Sequence, residues 1–324
     1  MTAGGERAIR VRRPGALTTI QDCGRPGYAH LGVPRSGALD APAHHRANRL
    51  AGNPPGAAVL ETTLTGAAVT AECDVTAAVT GAAATVTVDG QPTAPDAAIR
   101  LRAGQVLDIG PARPGVRCYV AFSGGLAVPR VLGSASADLL SGLGPARLAA
   151  GDVLPLGPAG DHGPAAGQAA PGETAPGPAG AARAGTALAG CRLGELAAAT
   201  PGEAGTGTGQ HEPAALLIHP GPRLDWLAEP GLAALAGSRW TVSPHSNRVA
   251  LRLAGEPVRR RRGELASEGL VTGGIQVPPD GQLVLFLADH PTTGGYPVVA
   301  VLDPASLPAC AQARPGTIVS FRLA

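Results

Sequence analysis

Hydrophobic positions along the chain fall into short runs. VTGAAATVTVDG (79–90), IRLRAGQVLDIG (99–110) and VRCYVAFSGGL (116–126) are rich in Val, Ile and Leu, alternate over part of their length, and end at Gly, Pro or Asp. Period-two alternation cut by turn formers predicts half-buried β-strands. The same signal returns after residue 212 in AALLIHPG, SRWTVSPHS, RVALRLAG, GGIQVPPDG, QLVLFLADH, PVVAVL and GTIVSFRL. Helical spacing is rarer. APAHHRANRLAGN (41–53) puts Ala43, Ala47 and Leu50 on one face, with Asp40 as cap, Pro42 in the first turn and Gly52 as stop. A second short helix is expected at 304–312, with Asp303 as cap and Pro304 at its first position. Many short strands with frequent turn signals predict a mainly β protein built as barrels or sandwiches.

The strand signals stop between residues 158 and 211, where Ala, Pro and Gly dominate. Such a segment lacks the apolar side chains that would offset chain entropy, so it reads as a disordered linker. A short helix fits GCRLGELAAA (190–199), while GTGTG lacks the strand and helix that a dinucleotide fingerprint needs. Three regions follow: an N-terminal β-rich subdomain (1–157), the linker (158–211) and a C-terminal β-rich subdomain (212–324).

Composition narrows the chemistry. Hydrophobic residues make up 44% of the 324, enough for a real core, but aromatics are only 2%. The net charge of +2 argues against an electrostatic nucleic-acid binder. All 26 basic residues are Arg. Without Lys the chain holds no P-loop lysine, no Schiff-base lysine and no biotinylated lysine. The five cysteines, Cys23, Cys73, Cys118, Cys191 and Cys310, form no C-x-x-C pair, which argues against a disulfide framework or zinc ribbon. With no apolar run near the roughly 18 residues of a membrane helix, a soluble cytoplasmic protein is expected.

Polar groups concentrate in a few stretches. TTIQDCGRPGYAHLGVPRSGALD (18–40) reads as a strand ending in a Gly-Arg-Pro-Gly turn. It is either a turn stabilised by Asp22 or a cradle in which Arg25 or Arg35 holds a carboxylate while Gln21 and Ser36 orient an amide. LASEGLVTGGIQVPPDGQ (265–282) offers Glu268 and Gln276, or a hairpin with polar edges. ADHPTTGGYPVVAV (288–301) presents Thr292, Thr293, Gly294, Gly295 and Tyr296 at the end of an apolar strand, beside His290. VSPHSNRVALRLAG (242–255) brings Arg248, with no G-x-S-x-G elbow to support a serine hydrolase. VRRRRG (258–263) is a solvated edge or a contact for an acidic partner. No motif for a metal is present.

Taken in order, these segments resemble one family. TTIQDCGRPGYAHLGVPRSGALD, AHHRANRLAGN and AVLETTLTG (58–66), then HPGPRLDWL, SRWTVSPHSNRVALRLAG, ELASEGLVTGGIQVPPDGQLVLFLADHPTTGGYPVVAVL and AQARPGTIVSF, are similar to the family of 5-oxoprolinase C subunits, also called allophanate hydrolase subunit 2, a biotin-dependent carboxyltransferase type. The resemblance covers nearly all of the chain outside 158–211. It implies two cyclophilin-like β-barrel subdomains that together form one carboxyltransferase-type domain over 17–322. It implies partners: the B subunit (the allophanate hydrolase subunit 1 family) and the A subunit of 5-oxoprolinase, with which 5-oxoproline is opened to glutamate in an ATP-dependent reaction. It also implies two alternatives, carboxyl transfer from carboxybiotin to urea or another amide, and a non-catalytic role as regulator of a kinase-inhibitor partner. Biotin would have to be carried by another polypeptide. Asp22, Asp40 and Glu268 are the expected acid/base groups. Gln21, Arg25, Arg35, Ser36, Arg248, Gln276, Thr292, Thr293, Gly294, Gly295 and Tyr296 are the expected binding groups. The chain departs from the family pattern at Asn247, where Asp is usual, and at His290, where Arg is common.

Overall fold

In the N-terminal half, β1 (Ala8–Arg13) and β2 (Leu17–Gln21) lead into α1 (Ala41–Leu50). β3 (Val59–Thr63), β4 (Ala67–Ala71), β5 (Val75–Gly81), β6 (Val86–Val88), β7 (Gln91–Thr93), β8 (Ala98–Leu101), β9 (Val106–Ile109), β10 (Arg117–Phe122) and β11 (Val153–Pro155) follow. The computed structural model describes residues 7–159, 214–228 and 231–324. The expected linker and the short helix within it lie outside the described residues, apart from Pro158 and Ala159.

These strands form two sheets, in the orders β11-β1-β4-β9-β6-β7 and β2-β3-β10-β5-β8. Alternation is also seen in β1, where Ile9 and Val11 are buried while Arg10 and Arg12 are not. Both sheets feed one core, with Ile9, Val69, Leu107 and Ile109 from the first and Leu60, Val79, Val120 and Phe122 from the second. β10 is buried along its whole length. Its other face, with Tyr119 and Ala121, is covered by α1 through Ala43 and Ala47. Alanine on that face lets the helix come close to the sheet, which is one use of the Ala-rich composition. Asp40 caps α1 by accepting from Ala43 N at 3.1 Å, with a proline in the first turn.

In the C-terminal half, β12 (Ala214–Pro220), α2 (Gly231–Gly237), β13 (Arg239–Val242), β14 (Ala250–Ala254), β15 (Glu268–Gly269), β16 (Gly274–Gln276), β17 (Leu283–Phe286), β18 (Thr293–Gly294), β19 (Val298–Leu302), α3 (Leu307–Gln312) and β20 (Ile318–Leu323) follow in order. Seven of these strands close into a barrel in the order β12-β19-β16-β17-β14-β13-β20, sealed by the parallel pairing of β12 with β20. Trp240, Leu216, Leu251, Ile275, Leu285 and Phe321 fill it. The expected helix at 304–312 begins as a 3-10 turn, with Asp303 accepting from Ala305 N, before α3 starts at Leu307. α2 went unpredicted because GLAALAG is short and glycine-bounded. It is held from outside, by the burial of Leu235 and by Trp240 Nε1 donating to Leu235 O.

The two halves share polar and apolar contacts. Leu39, from the stretch after β2, belongs to the core of the C-terminal barrel. Gln312 of α3 accepts from Val116 N and Arg117 N and donates to Asp40 Oδ2 at 2.9 Å. Arg314 donates to Ala112 O and Gly115 O.

Candidate functional site

The stretch 21–40 is a folded-back loop. Arg25 N donates to Arg35 O and Ala38 N to Asp22 O. Gly24 and Gly37 face each other at its neck with φ of +78° and +97°; a Cβ on Gly24 would stand 2.5 Å from Arg35 O, so only glycine fits. Asp22 knots this loop to the segment 134–136. Its Oδ1 accepts from Ser134 Oγ, Ser136 Oγ and Gly24 N, and its Oδ2 from Ala135 N at 2.7 Å and Arg130 Nη1 at 3.3 Å. Burial alone would raise this carboxyl. The two hydroxyls and the backbone N–H groups outweigh it and hold Asp22 below the ordinary carboxylate range. A carboxylate so saturated is an anchor and a poor base.

Its expected companions are committed to differing degrees. Arg25 is buried and donates to Ser136 O and, at 3.3 Å, to Val131 O; its Nη1 is buried without a partner. Gln21 is buried, donates to Thr19 Oγ1 and Ala137 O, and leaves Oε1 without a partner. Arg35 is exposed. Asp40 is taken up by the helix cap and by Gln312, and burial raises its carboxyl above the usual value.

Ser36 and Arg248 stand in a buried polar junction between the halves. Ser36 Oγ is 2.9 Å from Ala137 O and 2.8 Å from Asp289 Oδ1. Arg248 donates to both oxygens of Asp289, at 2.9 and 3.0 Å, to Gly37 O at 2.8 Å and to Glu61 Oε1. Glu61 also accepts from Leu39 N and Tyr119 Oη. Arg117 Nε lies 3.5 Å from Glu61 Oε1 without a hydrogen bond. Burial would raise Glu61, but Arg248 and then Arg117 outweigh it and hold the carboxyl below its usual range. Glu61 and Asp289 are absent from the residues expected at the site. A charged residue inside the apolar strand VLETT is the signal that could have found Glu61.

The C-terminal wall of the candidate site, from Glu268 to Tyr296, is built differently from the 21–40 loop, its N-terminal counterpart. Glu268 in β15 pairs with Gly294 in β18, so the two expected loops are brought together. Gly294 lies so close that a Cβ there would stand 3.2 Å from Gln276 Nε2. Gln276 donates to Tyr296 O at 2.7 Å. Glu268 carries a two-pronged ion pair with Arg223, whose Nε is 2.9 Å from Oε2. Thr293, Gly295 and Tyr296 are exposed, with Thr292 partly so. His290 is buried beside Phe286, and burial lowers its pKa. Asn247 accepts from Val249 N at 2.8 Å at the entry to β14, which any short acceptor side chain could do.

Gln276 and Tyr296 line a cavity of about 640 Å³, with Leu140 from the N-terminal half and Phe286, Arg252 and Gln282 from the barrel. That volume suits a small ligand, for which roughly 300–1,000 Å³ is usual. Gln21, Asp22, Arg25 and Ser36 do not line it. Arg252 is the guanidinium on this lining, a residue the sequence reading passed over because alternation marked it as an ordinary outward strand position.

The family sequence model described as carboxyltransferase domain, subdomain A and B, matches residues 31–323. The chain is 33% identical to the 5-oxoprolinase C subunit of Escherichia coli over 97% of its own length and 90% of that protein's. It is 29% identical to urea amidolyase of Saccharomyces cerevisiae, covering 97% of the chain but 16% of that protein. Among solved structures, TTHA0988 superposes with a TM-score of 0.75 at 35% identity, over 98% of this chain and 55% of that one. The Kluyveromyces lactis urea carboxylase superposes with a TM-score of 0.79 at 26% identity, over 99% of this chain and 28% of that one.

Proposed function

The chain belongs to the carboxyltransferase-domain family of subdomains A and B, and from that premise we propose that it is the C-type subunit of an ATP-dependent 5-oxoprolinase. The observation that carries the reading is the 33% identity to the Escherichia coli 5-oxoprolinase C subunit over 90% of that protein. The cavity supports it chemically. 5-Oxoproline presents a lactam and a carboxylate. Gln276 and Tyr296, which line the cavity, suit the lactam, and Arg252 suits the carboxylate. Glu268, partly exposed and held by Arg223, is the expected acid/base group that the β15–β18 pairing brings against Gly294, while Asp280 is the carboxylate on the cavity lining itself. Asp22, Asp40, Gln21, Arg25, Ser36 and Arg248 position the walls.

The reaction adds water across the lactam C–N bond to give glutamate, and ATP supplies the driving force in the complex. No nucleotide motif is visible in the sequence of this chain, and the first turn of α1 is already filled by the Asp40 carboxylate. ATP is therefore assigned to the A-type and B-type partners. Among the described residues no helix is long and apolar enough to cross a membrane.

A second reading, carboxyl transfer from carboxybiotin to urea or another amide, is favoured by the superposition on urea carboxylase. The absence of Lys means a biotin carrier would be a different polypeptide. Co-expression with A-type and B-type partners, followed by an assay of ATP-dependent glutamate release from 5-oxoproline, tests the first reading. Release that depends on this chain is expected. No release from the intact trio, with carboxybiotin turnover in the presence of urea, would replace it by the second.

A further inference from the structure

Beside the 21–40 loop lies a group of side chains that the proposed reaction does not use. Cys23 follows Asp22, and His44 and His45 sit in the first turns of α1. One ligand atom from each lies within 4.8 Å of the other two. Cys23 Sγ is 3.9 Å from His45 Nε2, and the two imidazole centroids are 5.4 Å apart. We propose that Cys23, His44 and His45 form a three-ligand site for a zinc-class divalent cation.

The ligand set is a thiolate and two imidazoles, the soft and borderline donors that zinc takes. Zinc–sulfur and zinc–nitrogen bonds of about 2.3 and 2.0 Å place tetrahedral ligand atoms roughly 3.5 Å apart. The observed 3.9 Å closes to that by side-chain adjustment, since Cys23 is exposed and His45 partly so. His44 Nε2 is 2.9 Å from Ala57 O and 3.3 Å from Asn48 Nδ2; in the tautomer that donates to Ala57 O the lone pair stands on Nδ1. Metal-bound histidines characteristically donate their other N–H to a backbone carbonyl in this way. On binding, the Cys23 S–H bond breaks, the proton leaves to solvent and a metal–sulfur bond forms. Three protein ligands leave a fourth position for water or an external ligand.

The proposal is independent of the 5-oxoprolinase reading, and its test uses no enzymatic activity. The purified full chain, stripped with chelator, is titrated with Co²⁺ and then Zn²⁺. One equivalent of Co²⁺ should produce a near-ultraviolet thiolate charge-transfer band that Zn²⁺ removes. Cys23→Ser should abolish the band, and His45→Ala should weaken binding at least tenfold. Both positions are surface-accessible, so circular dichroism should match the parent. A band that persists in Cys23→Ser, or uptake unchanged in the Cys23→Ser/His45→Ala double variant, would overturn the site and leave adventitious binding at other histidines.

Discussion

The two walls use the same residue types for opposite ends. On the N-terminal wall, Gln21, Asp22, Arg25 and Ser36 are all buried and bonded to backbone and to the side chains of Thr19, Ser134, Ser136 and Asp289. On the C-terminal wall, Tyr296 and Gln276, which is buried and donates to Tyr296 O, border an open cavity, with exposed Arg252 two strands away on β14. A polar group taken out of water needs protein partners, and once it is so paired it has little capacity left for a ligand. The density of polar residues on a glycine-rich loop is therefore no measure of ligand contact. The wall that borders the cavity is the one whose exposed groups, Arg252 and Tyr296, stay within reach of a ligand.

Removing a charge from the buried junction should break this contrast most visibly. Arg248→Met leaves Asp289 buried without its cation and Glu61 with only Arg117 at 3.5 Å, and a loss of about 3–5 kcal/mol is expected in urea denaturation. Asp22→Ala should cost about 1.5–3 kcal/mol by the same measurement, because charge-assisted bonds to Ser134, Ser136 and Ala135 disappear. Its pH dependence has a defined sign. The folded Asp22 carboxyl lies below its ordinary value of 3.8, so its contribution is present above that value and fades as pH falls through the lower folded one. The stability gap between parent and Asp22→Ala should thus narrow in acid, below about pH 4, and stay constant near neutrality.

Substitutions on the open wall should act on turnover. Gln276→Ala removes one hydrogen bond to Tyr296 O, worth about 1 kcal/mol of stability. It should lower glutamate release by the reconstituted complex about tenfold, the equivalent of one lactam contact. Arg252→Ala should leave stability within about 0.5 kcal/mol. It should raise KM for 5-oxoproline about tenfold with kcat little changed, as expected for a group that binds a remote carboxylate equally in ground and transition states. A stability loss at Arg252 as large as at Asp22 would erase the distinction between the walls.

Strands were legible wherever alternation was strong. β14, β16, β17 and β19 all fall within the segments marked as strands: β14 by alternation, with one face buried, and β16, β17 and β19 as short apolar runs that are buried on both faces. α1 was legible to its cap, since Asp40, Pro42 and Gly52 act locally. α2 was not, because its helicity depends on Leu235 meeting Trp240 from a later strand. The gathering of Glu268, Gln276 and Thr292–Tyr296 on one wall could be anticipated, as each ends or flanks a strand. Glu61 and Asp289 could not be paired in advance, since their partner Arg248 is 187 residues from one and 41 from the other.

Residue order alone sufficed for the mainly β architecture, the capped helix, the exclusion of lysine chemistry and, through the succession of motifs, the family. Those properties are local or depend only on the order of residues. Folding in three dimensions was needed to sort the polar groups that are already paired from those that stay available. It turned Asp22 and Arg25 into fasteners, brought Arg252 to the cavity beside Gln276, and set Cys23 next to His44 and His45. Such outcomes depend on desolvation and on partners supplied by distant segments, and neither quantity is written in the spacing of residues along the chain.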